Sequence, residues 1–434
     1  MKRIAASLGF VALGASTLQA VDTGALSTMQ GTKPWSVSVA LRGFYDSNIN
    51  TSPSDEVGSA GFSVNPFIGF GMAWDQTSTS VSYDLNAQYY DKRPAGQDGN
   101  WDYTHTFTAG LSHTFSPRVQ MAVRDSFVIG QEPDVLRAGD AYATLQRIPG
   151  NNIRNYGTIN ANIEATQLLG FEVGYANSFY DYAADGVTQS GINYIGSNAG
   201  ILNRIDNLVH VDSRWNFRPG TVGVLGGAYS QTLYTGDEII GGTIFLPVTS
   251  QQRDNLGGYG YVGVDQTFSP DLSASLRAGG RYTDFYNDPN TADGSWTPYV
   301  QASMQYYYRT ASSVQVGFTY DRSAADIVGG GAGTGGAFVT DSDTAVAYVS
   351  VTHQITQKIY GTLIGTYQHQ EYNGGGSQYD GKVDNYYIFG ANLSYRFNPH
   401  YSANLGYNFD ALDSQIPNRD FTRNRVYVGV TAAY

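Results

Sequence analysis

Val81-Ser82-Tyr83-Asp84-Leu85-Asn86-Ala87-Gln88-Tyr89 alternates without a break, apolar at odd positions and polar at even ones. A period of two places successive side chains on opposite faces of an extended strand. The stretches 62–74 and 401–409 repeat the pattern. Phe62, Val64, Pro66, Ile68, Phe70, Met72 and Trp74 form one apolar set, and Tyr401, Ala403, Leu405, Tyr407 and Phe409 form another. Helical patterning is absent.

Working outward gives eighteen such segments, at 35–48, 61–74, 79–91, 102–115, 119–129, 154–165, 171–182, 203–217, 221–234, 255–268, 272–285, 296–308, 313–321, 344–355, 359–370, 384–397, 401–410 and 421–434. Most are longer than the ~5–6 residues of an ordinary strand and match the ~9–11 needed to cross a bilayer at a tilt. Short and long connections alternate. Four short ones share an aromatic-x-Pro form: Phe115-Ser116-Pro117, Phe217-Arg218-Pro219, Phe268-Ser269-Pro270 and Phe397-Asn398-Pro399. Proline presets a turn and ends the ladder. The long connections are rich in Gly, Asn, Asp and Ser.

In hydrocarbon every backbone N–H and C=O needs a partner, so a spanning sheet must close on itself. The pattern therefore predicts an all-β, up-and-down antiparallel transmembrane barrel of about 18 strands, with short periplasmic turns and long extracellular loops. A secreted β-solenoid or propeller shares the period of two. Three features favour the membrane: polar positions carry Ser, Thr, Asn, Gln and Gly instead of Lys and Glu, the segments are long, and aromatics cluster at segment ends.

Composition agrees. The 434 residues include 34 Tyr, 52 Gly and no Cys, with 14% charged side chains against about 25% in a soluble domain. Thiols thus say nothing about the redox compartment. The net charge of -12 argues against a nucleic-acid partner bound through phosphates. Met1-Lys2-Arg3, the apolar run Ile4–Ala15 and Leu18-Gln19-Ala20 read as a bacterial signal peptide over residues 1–20. A buried N-terminal helix is the other reading. Residues 21–34 form a short periplasmic lead, and 35–434 form a single barrel without plug or periplasmic domain. The expected location is the bacterial outer membrane, with its lipid as a partner. Val426, Val428, Val430 and Tyr434 end the last strand on an aromatic, which resembles the signal read by the outer-membrane assembly machinery.

Two short stretches carry a family resemblance: Phe44-Tyr45-Asp46-Ser47-Asn48, and Arg124-Asp125-Ser126-Phe127 followed by Gln131-Glu132-Pro133. These resemble elements of the putative β-barrel porin 2 family. The resemblance implies a single outer-membrane barrel of the kind found alongside exopolysaccharide export.

Strand parity gives a lumen. Its cations are Arg42, Arg124, Arg214, Arg277, Arg281 and Arg396, and its anions Asp84, Glu164, Glu172, Asp212 and Asp321. Near balance predicts weak ion selectivity from the wall. The same residues also suit a structural ladder of cross-strand pairs. Tyr180, Tyr299, Tyr307, Tyr348 and Tyr386 share inward parity, which suits stacking on sugars or, more blandly, filling of the interior.

Acidic loop residues (Asp55, Glu56, Glu132, Asp134, Asp140, Asp185, Asp237 and Glu238) suit divalent bridging to anionic headgroups or simple solvation. Ile239-Ile240 and Ile244-Phe245-Leu246 make 235–254 unusually apolar, so this loop is the expected inward-folded constriction; 130–153 is another loop able to enter the lumen.

Chemistry is poorly supported. His105, His113, His353 and His369 have outward parity, and His210-Val211-Asp212 pairs imidazole and carboxylate without a nucleophile. No metal spacing occurs, and the glycines of 329–336 lack the Lys of a phosphate loop. The expectation is a non-enzymatic barrel without cofactor or metal. It is read as a passive porin-like channel for small hydrophilic solutes, an exopolysaccharide conduit, or a loop-plugged structural or partner-binding barrel.

Overall fold

A computed structural model describes residues 33–434 apart from 95–98, 132–141, 143, 149–151, 184–185, 191–192, 289–293 and 330–337. The signal peptide at 1–20, most of the lead at 21–34, the acidic residues Glu132, Asp134, Asp140 and Asp185, and most of the glycine run lie outside the described residues.

Eighteen long strands form one sheet. They are β1 (Trp35–Asp46), β2 (Ser59–Ala73), β3 (Thr77–Tyr90), β4 (Trp101–Ser116), β5 (Val119–Gly130), β6 (Asn152–Glu164), β7 (Leu169–Tyr182), β10 (Arg204–Arg218), β11 (Thr221–Tyr234), β14 (Asn255–Ser269), β15 (Leu272–Asp284), β16 (Ser295–Arg309), β17 (Ser312–Ser323), β18 (Val339–Gln354), β19 (Ile359–Gly374), β20 (Val383–Arg396), β21 (Tyr401–Ser414) and β22 (Phe421–Ala433). Two short hairpins lie in extracellular loops: β8 (Thr188–Ser190) with β9 (Asn193–Ile195), and β12 (Ile239–Gly242) with β13 (Pro247–Thr249). Helix α1 (Asn198–Leu202), a 3-10 turn (Ser250–Arg253) and helix α2 (Gly376–Tyr379) complete the loops.

Each long strand pairs antiparallel with its neighbours, and β1 pairs with β22, so the sheet closes. At the seam Val37 and Tyr434 exchange backbone bonds of 3.1 and 2.8 Å. Trp35 and Tyr434 lie 5.5 Å apart by ring centroid, and Lys33 Nζ sits 3.8 Å over the Tyr434 ring. Closure leaves no edge strand to meet lipid.

The pleat sorts the side chains as alternation requires. Val37, Leu41, Ile68, Val81, Leu225 and Val428 face outward and are exposed, while Ser36, Ser63 and Thr431 point in and are buried. An outer apolar wall around a polar interior inverts the soluble arrangement. Aromatic residues mark both ends of the outer wall, with Trp101, Tyr103 and Trp296 at one end and Trp35, Trp215, Phe217 and Phe268 at the other.

Four of the short turns hold a proline: Pro117, Pro219, Pro270 and Pro399. Pro219 fixes one turn residue, and Gly220 takes the left-handed φ of +83° that closes it. Several strands run further at their extracellular ends than alternation predicts. β18 begins at Val339 instead of 344, β19 ends at Gly374 instead of 370, and β21 at Ser414 instead of 410. Thr340, Asp341 and Ser342 are buried there under loops, so no lipid imposes the period of two.

Candidate functional site: the lumen and its extracellular mouth

Between β7 and β17 the wall carries a charged ladder into the lumen. Arg214 on β10 bridges Glu172 on β7 at 3.2 Å and Asp265 on β14 at 2.7 Å. Asp265 Oδ2 also accepts from Arg277 Nη2 on β15 at 3.0 Å, and Arg277 Nη1 stands 2.7 Å from Oδ1 as an ion pair. Gly263 makes this possible, since a Cβ there would stand 2.5 Å from Arg277 Cδ. Tyr261 donates to Asp212 Oδ1 at 2.6 Å. His210 Nε2 lies 3.9 Å from Glu172. Arg281 meets Asp321 at 3.3 Å, and the Tyr259 hydroxyl donates to the same carboxylate at 3.0 Å.

Six of the eleven charged residues expected in the lumen lie along this ladder: Glu172, Asp212, Arg214, Arg277, Arg281 and Asp321. Arg42 lies apart from it on β1, its guanidinium 5.6 Å from the Tyr427 ring. Arg396 lies 5.3 Å from the Tyr360 ring. Asp84 faces the lumen half-buried, and Arg124 and Glu164 are exposed on inward positions. Asp265, which links the ladder, was absent from the expected set. So were Asp46, Asp102, Asp410, Arg423 and Arg425. The same parity rule places all of them inward. Arg423 grips both Asp46 oxygens at 3.0 Å across the closing seam, and Arg425 reaches Asp410 at 3.1 Å. The Phe44–Asn48 stretch thus serves closure: Asn48 Nδ2 also donates to Thr422 O at 3.1 Å.

The inward tyrosines divide. Tyr180 is packed by Tyr156 and by Arg204, at 5.9 and 4.2 Å. Tyr299 is packed by Tyr259 and Tyr261, and Tyr386 by Tyr142 and Phe421. All three are buried, with ring faces covered. Tyr348 is half-buried and accepts from Gln315 at 3.1 Å; Tyr307 is exposed at the periplasmic rim. The outward histidines bind neighbours on the outer wall: His105 to Tyr83 at 2.9 Å, His113 to Thr77 at 2.7 Å, His353 to Tyr308 at 2.8 Å and His369 to Asn385 at 2.9 Å.

The described residues Tyr142 and 144–148 of the connection between β5 and β6 enter the extracellular mouth. The Tyr142 amide donates to Gln368 on β19, at 3.0 Å, and the Leu145 amide to Asp326 at 3.1 Å. Leu145 and Tyr142 are buried among Tyr386, Ile388, Leu412 and Phe421. Arg147 pairs with Asp102 on β4 and donates to Ile49 O at 3.0 Å. β19 stands nearly opposite β5–β6 in the circuit, so this segment crosses the bore.

The loop 235–254 behaves differently from the constriction expected of it. Ile240 and Val248 pack with Val328 and Phe338 from the β17–β18 connection. Arg253 is fully buried and donates to Ile201 O, Ala325 O and Thr340 O at 3.0, 2.6 and 3.3 Å. The loop ties neighbouring loops together, while Ile244, Phe245 and Leu246 stay exposed at its tip. Its apolar residues serve packing between loops, which composition alone does not distinguish from a fold into the lumen.

Toward the periplasm the inward face changes character. Ser80, Ser112, Arg124, Glu164, Thr267 and Ser273 are exposed. Among the described residues no group of three His, Cys, Asp or Glu side chains is placed to hold a metal.

A closed eighteen-strand antiparallel sheet with an apolar outer wall, a polar lumen and long loops at one mouth is the architecture of an outer-membrane β-barrel. The family model described as Putative beta-barrel porin 2 matches residues 243–434, the C-terminal part of the barrel. Among solved structures, the chain is similar to OccAB4 of Acinetobacter baumannii, at 12% identity and a TM-score of 0.42, covering 93% of this chain and 99% of that one. It is also similar to OccK1 (OpdK) of Pseudomonas aeruginosa, at 12% identity and a TM-score of 0.44, covering 92% and 99%. By sequence no curated protein matches.

Proposed function

We propose that the chain is a passive outer-membrane channel for small hydrophilic solutes, with its selectivity filter at the extracellular mouth. The observation that carries this reading is that Tyr142 and residues 144–148 lie across the bore, above a periplasmic half whose lumen-facing polar residues are exposed. A polar wall keeps the bore wet, and an inward loop sets what passes. The paired ladder of Arg214, Glu172, Asp265 and Arg277 neutralises most wall charge, so ion preference is weak.

An exopolysaccharide conduit would need this segment displaced to admit a polymer. A loop-plugged barrel draws on the same cluster of Tyr142, Leu145 and Tyr386. Liposome swelling separates the three. Uptake of monosaccharide-sized solutes with exclusion of long oligosaccharides supports the channel. Uptake of long oligosaccharides as well favours the conduit, and no uptake by a folded, heat-modifiable barrel favours the plug.

A further inference from the structure

Several large inward side chains lie down on glycines of the wall. Tyr427 on β22 stands opposite Gly406 on β21, which stands opposite Asn392 on β20. The Tyr427 ring covers Gly406 so closely that a Cβ there would overlap it. Beyond the glycine, the Tyr427 hydroxyl accepts from Asn392 Nδ2 at 2.7 Å. Asp212, Gly226 and Tyr261 repeat this arrangement on β10, β11 and β14. There the hydroxyl donates to Asp212 at 2.6 Å, and a Cβ on Gly226 would stand 2.6 Å from Tyr261 Cζ. Tyr348 on β18 lies over Gly317 on β17, where a Cβ would stand 2.6 Å from its Cζ, and its hydroxyl accepts from Gln315 at 3.1 Å. Arg42 lies in the same way over Gly429, and Arg277 over Gly263. All five lean onto the strand that precedes their own in the circuit.

Glycine weakens a strand interior, and its presence there often marks a close approach by another group. In this wall the approaching group is a long side chain from the next strand. Strand side chains ordinarily stand roughly perpendicular to the sheet, a posture that would carry these into the bore. The glycines let them lie flat instead, and the tyrosine hydroxyls are tied down at the far end. Tyr261 is buried and packed against Tyr299. Tyr427 and Tyr348 are only half-buried and have inward parity, so their rings form part of the surface that a solute meets.

We propose that Gly406 and Gly317 are specificity-determining residues of the bore: by letting Tyr427 and Tyr348 lie flat, they set its width at mid-strand, a size limit separate from that of the β5–β6 segment. The proposal rests on the reading of the chain as a channel. The sheet lies behind each glycine and the bore in front of it. A ring lifted off the glycine by a methyl group therefore turns into the bore.

Gly406→Ala, made alone and together with Tyr427→Ser, tests this in the refolded chain, with heat modifiability as the check on the barrel. The single variant is expected to lower single-channel conductance by about a third or more and to shift the liposome-swelling limit to smaller solutes. Adding Tyr427→Ser should return both to native values or beyond. Nitration by tetranitromethane, read at Tyr427 by peptide mass spectrometry, reports the posture of the ring without any current and should rise several-fold in G406A. Unchanged conductance in G406A overturns the proposal. So does a loss that Tyr427→Ser does not reverse, which makes Gly406 a residue of the fold alone. Should G406A fail to fold, Tyr427→Ser alone decides: larger steps and a wider limit sustain the proposal, and native values overturn it. A folded native barrel that passes no current defeats the channel reading instead. Nitration then decides: a raised rate at Tyr427 in G406A sustains the role of the glycine in bore width, and an equal rate overturns it.

Discussion

The backbone amide of Tyr142, between β5 and β6, donates to the Gln368 side chain on β19 at 3.0 Å. Chain positions 226 residues apart thereby meet across the mouth of the barrel. The wall holds the segment through Gln368, Asp102 and a buried apolar cluster, and the β17–β18 connection holds it through Asp326. A segment held at both sides of a bore defines its width.

The ladder sets the charge of the bore. Asp265→Asn with Glu172→Gln leaves Arg214 and Arg277 without carboxylates. The expected outcome is a shift from weak selectivity to clear anion preference, read as a reversal potential in a salt gradient. Side-chain exposures of 17% and 18% for Arg214 and Asp265 mean that water screens the pair. The stability cost should fall below the ~3–5 kcal/mol of breaking a fully buried pair. An unchanged reversal potential would show that the ladder is structural only.

Arg253 joins three loops through carbonyl oxygens, with its guanidinium 4.7 Å from the Tyr234 ring. Arg253→Met keeps much of the stem but leaves the carbonyls unmet, at about 1–3 kcal/mol each where water cannot replace the donor. Hydrogen exchange over 239–254 should accelerate at least about tenfold, the equivalent of ~1.4 kcal/mol, with the barrel strands unaffected. Equal protection in both proteins would mean that the loops hold without the clamp.

Asp254 adds a pH dependence. Burial pushes its carboxyl above the usual range, against the opposing hydrogen bonds from the Tyr234 amide at 2.7 Å and Asn287 at 3.1 Å. A raised folded pKa favours the protonated form. Its stabilising contribution is present below the unfolded pKa and lost as pH rises through the folded one. Protection of the 250–254 turn, corrected for intrinsic exchange, should therefore decline as pH rises above the ordinary carboxylate range. Asp254→Asn should flatten that dependence; a slope retained in the variant would assign it elsewhere.

Tyr434 closes the seam beside Trp35, His400 and Lys33. Tyr434→Ala removes two ring contacts and one cation–π contact, together about 1.5–4 kcal/mol. If the last strand also carries the assembly signal, the variant should accumulate far less in membranes than its stability after refolding from denaturant explains. Equal losses by both measures would reduce Tyr434 to a seam residue.

Much of this was legible in the residues. Alternation in 79–91 or 401–410 reports directly which side of a strand meets lipid, so all eighteen strands and their order could be written down before any coordinates. Parity placed Arg214, Glu172 and Arg277 on inward faces. It did not place them together, because partners such as Arg214 and Asp265 sit two strands apart and depend on register. Strand ends such as Val339–Asp343 escaped because they stand above the lipid. The loops were hardest: Leu145 and Ile240 are both apolar loop residues, yet one crosses the bore and the other packs beside it, a difference set by contacts far away in sequence.

The central claim is that an open bore is narrowed by Tyr142 and residues 144–148. Single-channel conductance in planar bilayers tests it, comparing the native chain with Leu145→Asp, which places a carboxylate among Tyr386, Ile388, Leu412 and Phe421 and releases the segment. The account predicts small, stable steps from the native chain and several-fold larger ones from the variant. Absence of steps from both proteins, each folded and heat-modifiable, would contradict a channel, and equal steps would contradict the constriction.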